Sequence, residues 1–268
     1  MDNIIDGKAL RDKILGQLKA KIEKHNLKPY LAIIQVGENE SSNRYIKQKL
    51  LAAEKIGAKV ELINFPENVT QQEIETKIAH LNADNKVSGI IVQLPLPEHL
   101  QSEKLVELIS PNKDVDGLTE NSAFKPATPS GVMKILEEYK VNLKDKTVVV
   151  LGRSKLVGSP LKKMLEDAGA EVIQIHSQTP KPIDSLVQKG DIVISAVGQP
   201  KLVTANMVKK GAVVIDVGMN RDPETGKLVG DVDFENVSKK ASLITPVPGG
   251  VGPMTVAMLM TNLVKASK

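Results

Sequence analysis

The sequence contains no cysteine and no tryptophan, and its aromatic side chains are only three Phe and three Tyr among 268 residues. Without cysteine the chain can form no disulfide framework, thiolate metal site or cysteine nucleophile. Proteins that bind single-stranded nucleic acid stack bases on aromatic rings. A chain with six aromatic residues is therefore poorly suited to that function. No segment approaches the roughly 18 consecutive apolar residues of a membrane-spanning helix.

Charges of both signs are interleaved along the chain, with 36 Lys and Arg against 32 Asp and Glu and a net charge of +4. This pattern is typical of a solvated surface rather than of a nucleic-acid patch. The N-terminal residues alternate charged with apolar side chains and lack the apolar centre of a signal peptide. We therefore expect neither nucleic acid nor a membrane as partner, no metal site, and a cytoplasmic location.

The first third of the sequence alternates strand and helix patterns. Strands are predicted at 30–37, at 58–65 and within 87–97, separated by helices that end near Ile56 and Ala83. Strands joined by helices of this length indicate a parallel sheet covered by helices. The continuous apolar run Gly89–Val92 fits a strand that is buried on both faces.

A second α/β series follows the loop 111–131, which is rich in Asp, Asn, Pro, Ser and Gly. Strands are predicted at 146–152, 170–176, 191–198, 212–218 and 241–247. Their order is typical of a doubly wound nucleotide-binding domain. A last helix, from Pro253 to about Ser267, carries an apolar stripe whose packing partner the residues alone do not identify; the stripe consists of Met254, Met258, Leu259 and Leu263.

A glycine-containing loop, Gly152–Pro160, lies where the first strand of this series meets its helix. Glycine there permits close approach of backbone to phosphate, and the helix N-terminus favours an anion. The loop is not the usual G-x-G-x-x-G pattern, so a purely structural turn is the alternative.

The end of the next strand distinguishes between dinucleotides. An NAD site places a carboxylate about 20 residues after the first glycine, whereas 174–178 contains none. Arg153 and Ser177 suit a 2′-phosphate instead, so the sequence favours NADP. His176 is either a solvent-facing strand end or a cofactor contact.

Three polar groups of the first series are candidate catalytic residues. Tyr45 and Lys49 are four residues apart and share a helix face. On spacing alone Lys49 would extend to water, but a lysine that lines a cleft would have a lowered pKa and could act as an acid or base. Gln93 ends a strand at the edge where α/β proteins bind ligands. In the following loop, Asp114 and Asp116 are either turn formers or functional carboxylates.

The segment 245–255 combines three prolines and three glycines directly before the last helix. Such a loop is rigid but sterically open, so a ligand can touch its backbone, and Pro253 suits a first helical turn. A simple connection is the alternative.

In these motifs the sequence resembles the bifunctional methylenetetrahydrofolate dehydrogenase and methenyltetrahydrofolate cyclohydrolase family. Five segments occur in the family's order and span essentially the whole chain. They are Ser42-x-x-Tyr45-Ile46-x-x-Lys49, Val92–Pro97, Lys113–Gly117, Gly152-Arg153-Ser154-x-x-Val157-Gly158-x-Pro160 and Pro248–Thr255.

The resemblance implies two α/β domains with a folate cleft between them. These are a folate-binding catalytic domain, 1–121 plus 250–268, and a Rossmann-like NADP-binding domain, 122–249. The final helix would fold back onto the N-terminal domain. The family's members are usually homodimers.

The resemblance also implies a role for each candidate residue. Lys49 would be the central catalytic group, Gln93 would hydrogen-bond it, Tyr45 would stack on the folate, and Asp116 would hold the pterin amino edge. The folate would pack along Pro248, Gly249, Gly250 and Val251. NADP would be held by Gly152, Arg153, Ser154, Ser177 and the backbone near Met219.

The sequence departs from the family at Ile46, usually Val, and at Ala127, where cysteine is common. Residues 118–124 also match the family loosely. These departures concern the hinge rather than the chemistry. Two other functions stay open on the residues: a shikimate-type dehydrogenase that uses NADP, and a non-catalytic NADP-binding sensor.

Overall fold

The computed structural model describes residues 3–222 and 224–268, with the side chain of Ser41 left out. The chain divides into two compact units. The three-stranded unit comprises Asp12–Ala127 and Val256–Lys268, and the five-stranded unit comprises the residues up to Arg11 and Thr128–Thr255. The functional boundaries given above, 1–121 with 250–268 and 122–249, stay predictions.

The three-stranded unit is built on a parallel sheet in the order β2-β1-β3. Its strands are β1 (Tyr30–Val36), β2 (Lys59–Phe65) and β3 (Gly89–Val92). Every residue of β1 and β3 is buried, as their continuous apolar runs predict, whereas the edge strand β2 is partly exposed. Helix α1 (Gly7–His25) belongs to this unit from Asp12 onward. The other helices are α2 (Glu40–Ile56), α3 (Gln71–Ala83) and α4 (Ser102–Glu107).

The five-stranded unit contains a parallel sheet in the order β10-β7-β6-β4-β5. Its strands are β4 (Thr147–Leu151), β5 (Glu171–Ile175), β6 (Ile192–Ser195), β7 (Val213–Asp216) and β10 (Leu243–Ile244). The chain runs from β4 outward to β5 and then returns to the other side at β6. The strand order therefore reverses between β4 and β6, and ligands of doubly wound sheets bind outside the carboxyl ends at such a point.

Shorter elements connect these strands. Helices α5 (Ala127–Glu138), α6 (Gly158–Asp167), α7 (Asp184–Val187) and α8 (Phe234–Val237) alternate with the strands. A small antiparallel hairpin joins β8 (Asn220–Arg221) to β9 (Leu228–Val229). The last helix is α9 (Val251–Ala266).

The structure corrects the sequence analysis at three helices. Helix α5 begins at Ala127, inside the segment 111–131 that was predicted to be a loop. Helix α1 received no prediction, although Ile14, Leu18 and Ile22 form a buried stripe at helical spacing. Helix α9 begins at Val251 rather than Pro253. Proline is tolerated in the first turn because amide groups there have no partner within the helix.

The apolar stripe of α9 from Met258 onward packs within the three-stranded unit, whereas Met254 belongs to the five-stranded unit. Leu259 and Leu263 are fully buried, and residues from Val256 onward belong to this unit. Asn262 Nδ2 donates to the carbonyls of Val115 and Lys125 at 3.0 and 3.1 Å. Among the described residues no helix is both long and apolar enough to cross a membrane.

Candidate active site and dinucleotide site

Lys49 is buried in the three-stranded unit, with only 6% of its surface exposed. It lies on the same face of α2 as the buried Ile46 and Ala53. Its Nζ donates to Gln93 Oε1 at 3.1 Å and lies 3.9 Å from Asp116 Oδ2. The expectation from spacing alone, that this lysine extends to water, is therefore wrong. The fold brings together Lys49, Gln93 and Asp116 from a helix, a strand end and a loop.

Burial and mutual attraction act in opposite directions on this pair. Burial lowers the pKa of Lys49, and the nearby Asp116 carboxylate opposes that shift. Burial likewise raises the pKa of Asp116, against the effect of Lys49. Both shifts favour the uncharged forms, because a low dielectric penalises charge. A lysine in this environment can lose and regain a proton closer to neutral pH than an exposed one.

The Gln93 amide has one orientation that satisfies its neighbours. Its backbone N–H donates to Ile34 O at 2.9 Å, which continues the sheet ladder past the end of β3. Its Nε2 donates to the carbonyl of Leu94 at 2.8 Å, so Oε1 is left to accept from Lys49. Ser42 Oγ donates to the same Leu94 carbonyl at 3.4 Å. Both bonds fix the backbone before the cis Leu94–Pro95 bond.

The two loop aspartates have different roles. Asp114 is 1% exposed, and its carboxylate accepts from the amides of Gly117 and Thr119 and from the Thr119 hydroxyl, at 2.8–3.1 Å. It is therefore the turn former. The side chain of Asp116 is 21% exposed and faces Lys49.

Tyr45 lies one turn before Lys49 on α2 and is half-buried. Burial raises the pKa of its phenol, so the hydroxyl stays neutral at physiological pH. The partly exposed ring offers the flat apolar surface that a stacked ligand requires.

The predicted cofactor residues lie at the carboxyl edge of the five-stranded sheet. Gly152 follows β4 with a φ of +117°, and a Cβ there would lie 2.5 Å from Ala196 O. Glycine is needed at this position on both counts. The exposed Arg153 and Ser154 come next, and Ser154 Oγ accepts from the amides of Val157 and Gly158 at the start of α6.

Two more cofactor candidates follow other strands of this sheet. Ser177 is exposed after β5, and Met219 is 39% exposed after β7. His176 Nδ1 accepts from the Gln178 amide at 3.2 Å, so the imidazole takes part in a local turn. No carboxylate lies in the segment after β5, so its basic and hydroxyl groups fit a 2′-phosphate better than a free ribose hydroxyl.

The loop before α9 adopts a constrained backbone. The Val247–Pro248 bond is cis, and Gly249 has a φ of +116°. Gly250 is buried, and a Cβ there would lie 2.6 Å from Thr245 Cβ. Val251, the fourth residue of the predicted folate contact, is the first residue of α9.

The sequence analysis missed a pair of buried carboxylates in the five-stranded unit. Asp216 ends β7 and Asp231 follows β9, and they are 3% and 0% exposed. A carboxylate at the end of an apolar strand was the available signal for Asp216. Asp231 gave no signal, because most of its partners are backbone amides of a distant segment.

The fold and both groups of residues define a two-part α/β protein with a dinucleotide-binding sheet. Comparison with known families makes the assignment specific. Residues 5–116 match the tetrahydrofolate dehydrogenase/cyclohydrolase catalytic domain, and residues 126–268 match the NAD(P)-binding domain of the same family. The chain belongs to the tetrahydrofolate dehydrogenase/cyclohydrolase family.

Individual relatives agree with this assignment over nearly full length. The bifunctional protein FolD of Nautilia profundicola is 48% identical over 99% of this chain and 97% of its own. The crystal structure of the FolD methylenetetrahydrofolate dehydrogenase/cyclohydrolase of Campylobacter jejuni is 45% identical, covers 98% of each chain and has a TM-score of 0.94. The Trypanosoma brucei enzyme, solved with NADP and an inhibitor, is 38% identical over 98% of this chain and 96% of its own, with a TM-score of 0.93. These relatives support the folate enzyme rather than the shikimate-type or sensor alternatives.

Proposed function

We propose that this chain oxidises 5,10-methylenetetrahydrofolate with NADP⁺ and then hydrolyses the methenyl product to 10-formyltetrahydrofolate, in one-carbon metabolism. The observation that carries this proposal is the cluster formed by the buried Lys49 and Gln93 with the partly buried Asp116. Membership of the tetrahydrofolate dehydrogenase/cyclohydrolase family, matched over residues 5–116 and 126–268, supports it.

The folate is bound by groups whose chemistry matches the pterin. Asp116 accepts hydrogen bonds, and the pterin amino edge offers N–H donors. Tyr45 supplies the stacking surface beside it. The backbone of Pro248, Gly249, Gly250 and Val251 is the predicted contact along the remainder of the folate.

Lys49 moves the proton in the hydrolytic step. The water oxygen bonds to the methenyl carbon and the bond from that carbon to N5 breaks; one water proton goes to N5 and the other is released. Neutral Lys49 accepts a proton from the attacking water, and Gln93 Oε1 holds its Nζ in place. The lowered pKa matters because a permanently charged lysine would repel the cationic methenyl substrate.

The dinucleotide, when bound, accepts the hydride in the oxidative step. Gly152, Arg153 and Ser154 bind its phosphates at the start of α6, and the backbone near Met219 is a further predicted contact. Arg153 and Ser177 bind the 2′-phosphate and so favour NADP over NAD. For this step the protein mainly aligns two bound molecules. A homodimer, a cytoplasmic location and the absence of membrane and nucleic-acid partners complete the proposal.

The test is a paired assay of both reactions. Wild-type protein should reduce NADP⁺ with methylenetetrahydrofolate, and NAD⁺ much less efficiently. Lys49→Met should lower cyclohydrolase turnover by about 100-fold or more, because it removes the proton acceptor. Folate binding, measured by equilibrium dialysis, should persist.

Lys47→Met is the matched control, since Lys47 is exposed on the same helix and the charge change is identical. It should leave both activities unchanged. Undiminished hydrolysis by Lys49→Met would contradict the assigned role. A wild-type protein that binds NADP without turnover would favour the sensor alternative.

A further inference from the structure

Asp231 accepts five hydrogen bonds although it is completely buried. Its Oδ2 accepts from Ser195 Oγ at 3.0 Å and from the amides of Val197 and Gly198 at 2.7 and 3.2 Å. Its Oδ1 accepts from the Gln199 amide at 3.0 Å and from Asn220 Nδ2 at 2.9 Å. One carboxylate therefore binds the end of β6, the segment after it and the hairpin strand β8.

The three amides belong to the successive residues 197–199, which are exposed. This segment follows β6, one of the two strands between which the sheet order reverses. The residue before it, Ala196, approaches Gly152 so closely that a Cβ on Gly152 would lie 2.5 Å from its carbonyl oxygen. Asp231 thus fixes the segment that faces the glycine loop.

A second carboxylate fixes Asp231 itself. Asp216 accepts from the amides of Gly218, Asp231 and Val232 at 2.9–3.0 Å. The arrangement leaves no spare space, because a Cβ on Gly218 would lie 2.1 Å from Asp231 Oδ1. All four oxygens of the two carboxylates accept hydrogen bonds, and such a fully satisfied network holds its loops in one conformation.

We propose that Asp231 is a positioning residue for dinucleotide binding, which holds residues 197–199 in place as one wall of the site. The proposal rests on the proposed NADP site of the five-stranded unit. It assigns Asp231 no contact with the reacting atoms. The residue acts through the backbone amides that it binds.

The isosteric change Asp231→Asn tests this role. An amide has one acceptor oxygen, and its NH₂ group would face N–H donors, so several of the five bonds are lost. Residues 197–199 must then be reordered on binding, and that cost lowers affinity. We expect the KM for NADP⁺ to rise about tenfold, with the dehydrogenase kcat at saturating NADP⁺ reduced less than about threefold.

The cyclohydrolase reaction is the internal control, because it uses no dinucleotide. Its kcat/KM should stay within about twofold of wild type in Asp231→Asn. Asp233→Asn is the matched variant. Among the bonds described for it, the Asp233 carboxylate accepts one exposed hydrogen bond, from Asn236 Nδ2. It should leave the KM for NADP⁺ unchanged.

An unchanged KM for NADP⁺ in folded Asp231→Asn overturns the proposal, as does an equal loss of both activities. If Asp231→Asn does not fold, Asn220→Ala tests the proposal instead, because it removes a single donor to Asp231 Oδ1. A rise of about threefold in that KM supports the proposal, and no rise overturns it. A wild-type protein that does not use NADP⁺ contradicts the proposed function instead, which separates the two failures.

Discussion

The pKa values of the partly buried Asp116 and the buried Asp216 are raised by burial in different surroundings. Asp116 faces the cation of Lys49, whereas Asp216 has no cation among its described contacts and depends on three amide donors. Burial raises the pKa of Asp216 to about 7, and the amides only partly offset that shift. The group is therefore close to half-protonated at physiological pH.

This pKa makes the stability of the fold depend on pH. Folded Asp216 binds its proton up to about pH 7, whereas in the unfolded chain it ionises near its ordinary value of 3.8. Its contribution is therefore fully present below the unfolded pKa and is lost as the pH rises through about 7. Relative to Asp216→Asn, wild type should lose about 3 kcal/mol of unfolding free energy between about pH 5 and about pH 8. Urea denaturation across this range measures the difference.

Asp222→Asn serves as the control, because the pKa of Asp222 is shifted in the opposite direction to that of Asp216. Amide donors from the β8–β9 turn and the Lys201 ammonium lower the pKa of Asp222 to about 2. Asp222 is thus ionised in both states throughout the tested range, so its difference from wild type should not change with pH. If the stability difference between wild type and Asp216→Asn is also independent of pH, Asp216 is already ionised at pH 5, which contradicts the prediction.

At the scale of elements, helix α9 supports the loop that carries Asp116. Asn262 is buried and donates to the carbonyls of Val115 and Lys125, on either side of that aspartate. Asn262→Ala leaves two buried carbonyls without these donors. We expect the variant to lose about 2 kcal/mol of stability and to show a several-fold lower cyclohydrolase kcat/KM.

Thr261→Ala is the neighbouring control for this prediction. Thr261 Oγ1 donates only to Ala257 O within α9 among its described bonds, and alanine favours a helix. Stability and activity should stay near wild type, as followed by thermal unfolding and the hydrolysis assay. Equal effects of both substitutions would argue against the supporting role of Asn262.

Elements with strong local patterns were predictable from the sequence. The strands β1 and β4 match their predicted runs because long apolar stretches end at Gly37 and Gly152. The β8–β9 hairpin has two-residue strands, too short for a periodic pattern. Helix α1 has an apolar stripe at helical spacing, but the charged residues interleaved with it obscured this pattern in the sequence.

The candidate site was predictable only where a motif or a strand end marked it. The rule that ligands gather at carboxyl ends of strands singled out Gln93, and the structure places it against Lys49. Burial of Lys49 was not readable from spacing, because its described partners, Gln93 and Asp116, lie 44 and 67 residues further along the chain. The bonds of Asp231 depend on segments that are 11 to 36 residues away, and no local pattern encodes them.

At the scale of the whole molecule, each unit has its own hydrophobic core. In the three-stranded unit, Ile34, Ile74 and Ile90 are fully buried around the sheet. In the five-stranded unit, Val149, Val193 and Val214 form the corresponding core. The proposed dinucleotide residues all belong to the second unit, and Lys49, Gln93 and Asp116 to the first.

NADP should therefore protect the amides of one unit preferentially. A ligand that binds only the native state adds stability that grows with its concentration, about 2.7 kcal/mol at 100 times Kd. Hydrogen exchange with mass spectrometry should show slower exchange in peptides from the carboxyl ends of β4, β6 and β7, including the amides of 197–199 that Asp231 binds. NAD at the same concentration should protect these peptides less, because Arg153 and Ser177 have no 2′-phosphate to bind. Protection by NADP that is confined to β1 and β3 would place the dinucleotide in the other unit and contradict this assignment.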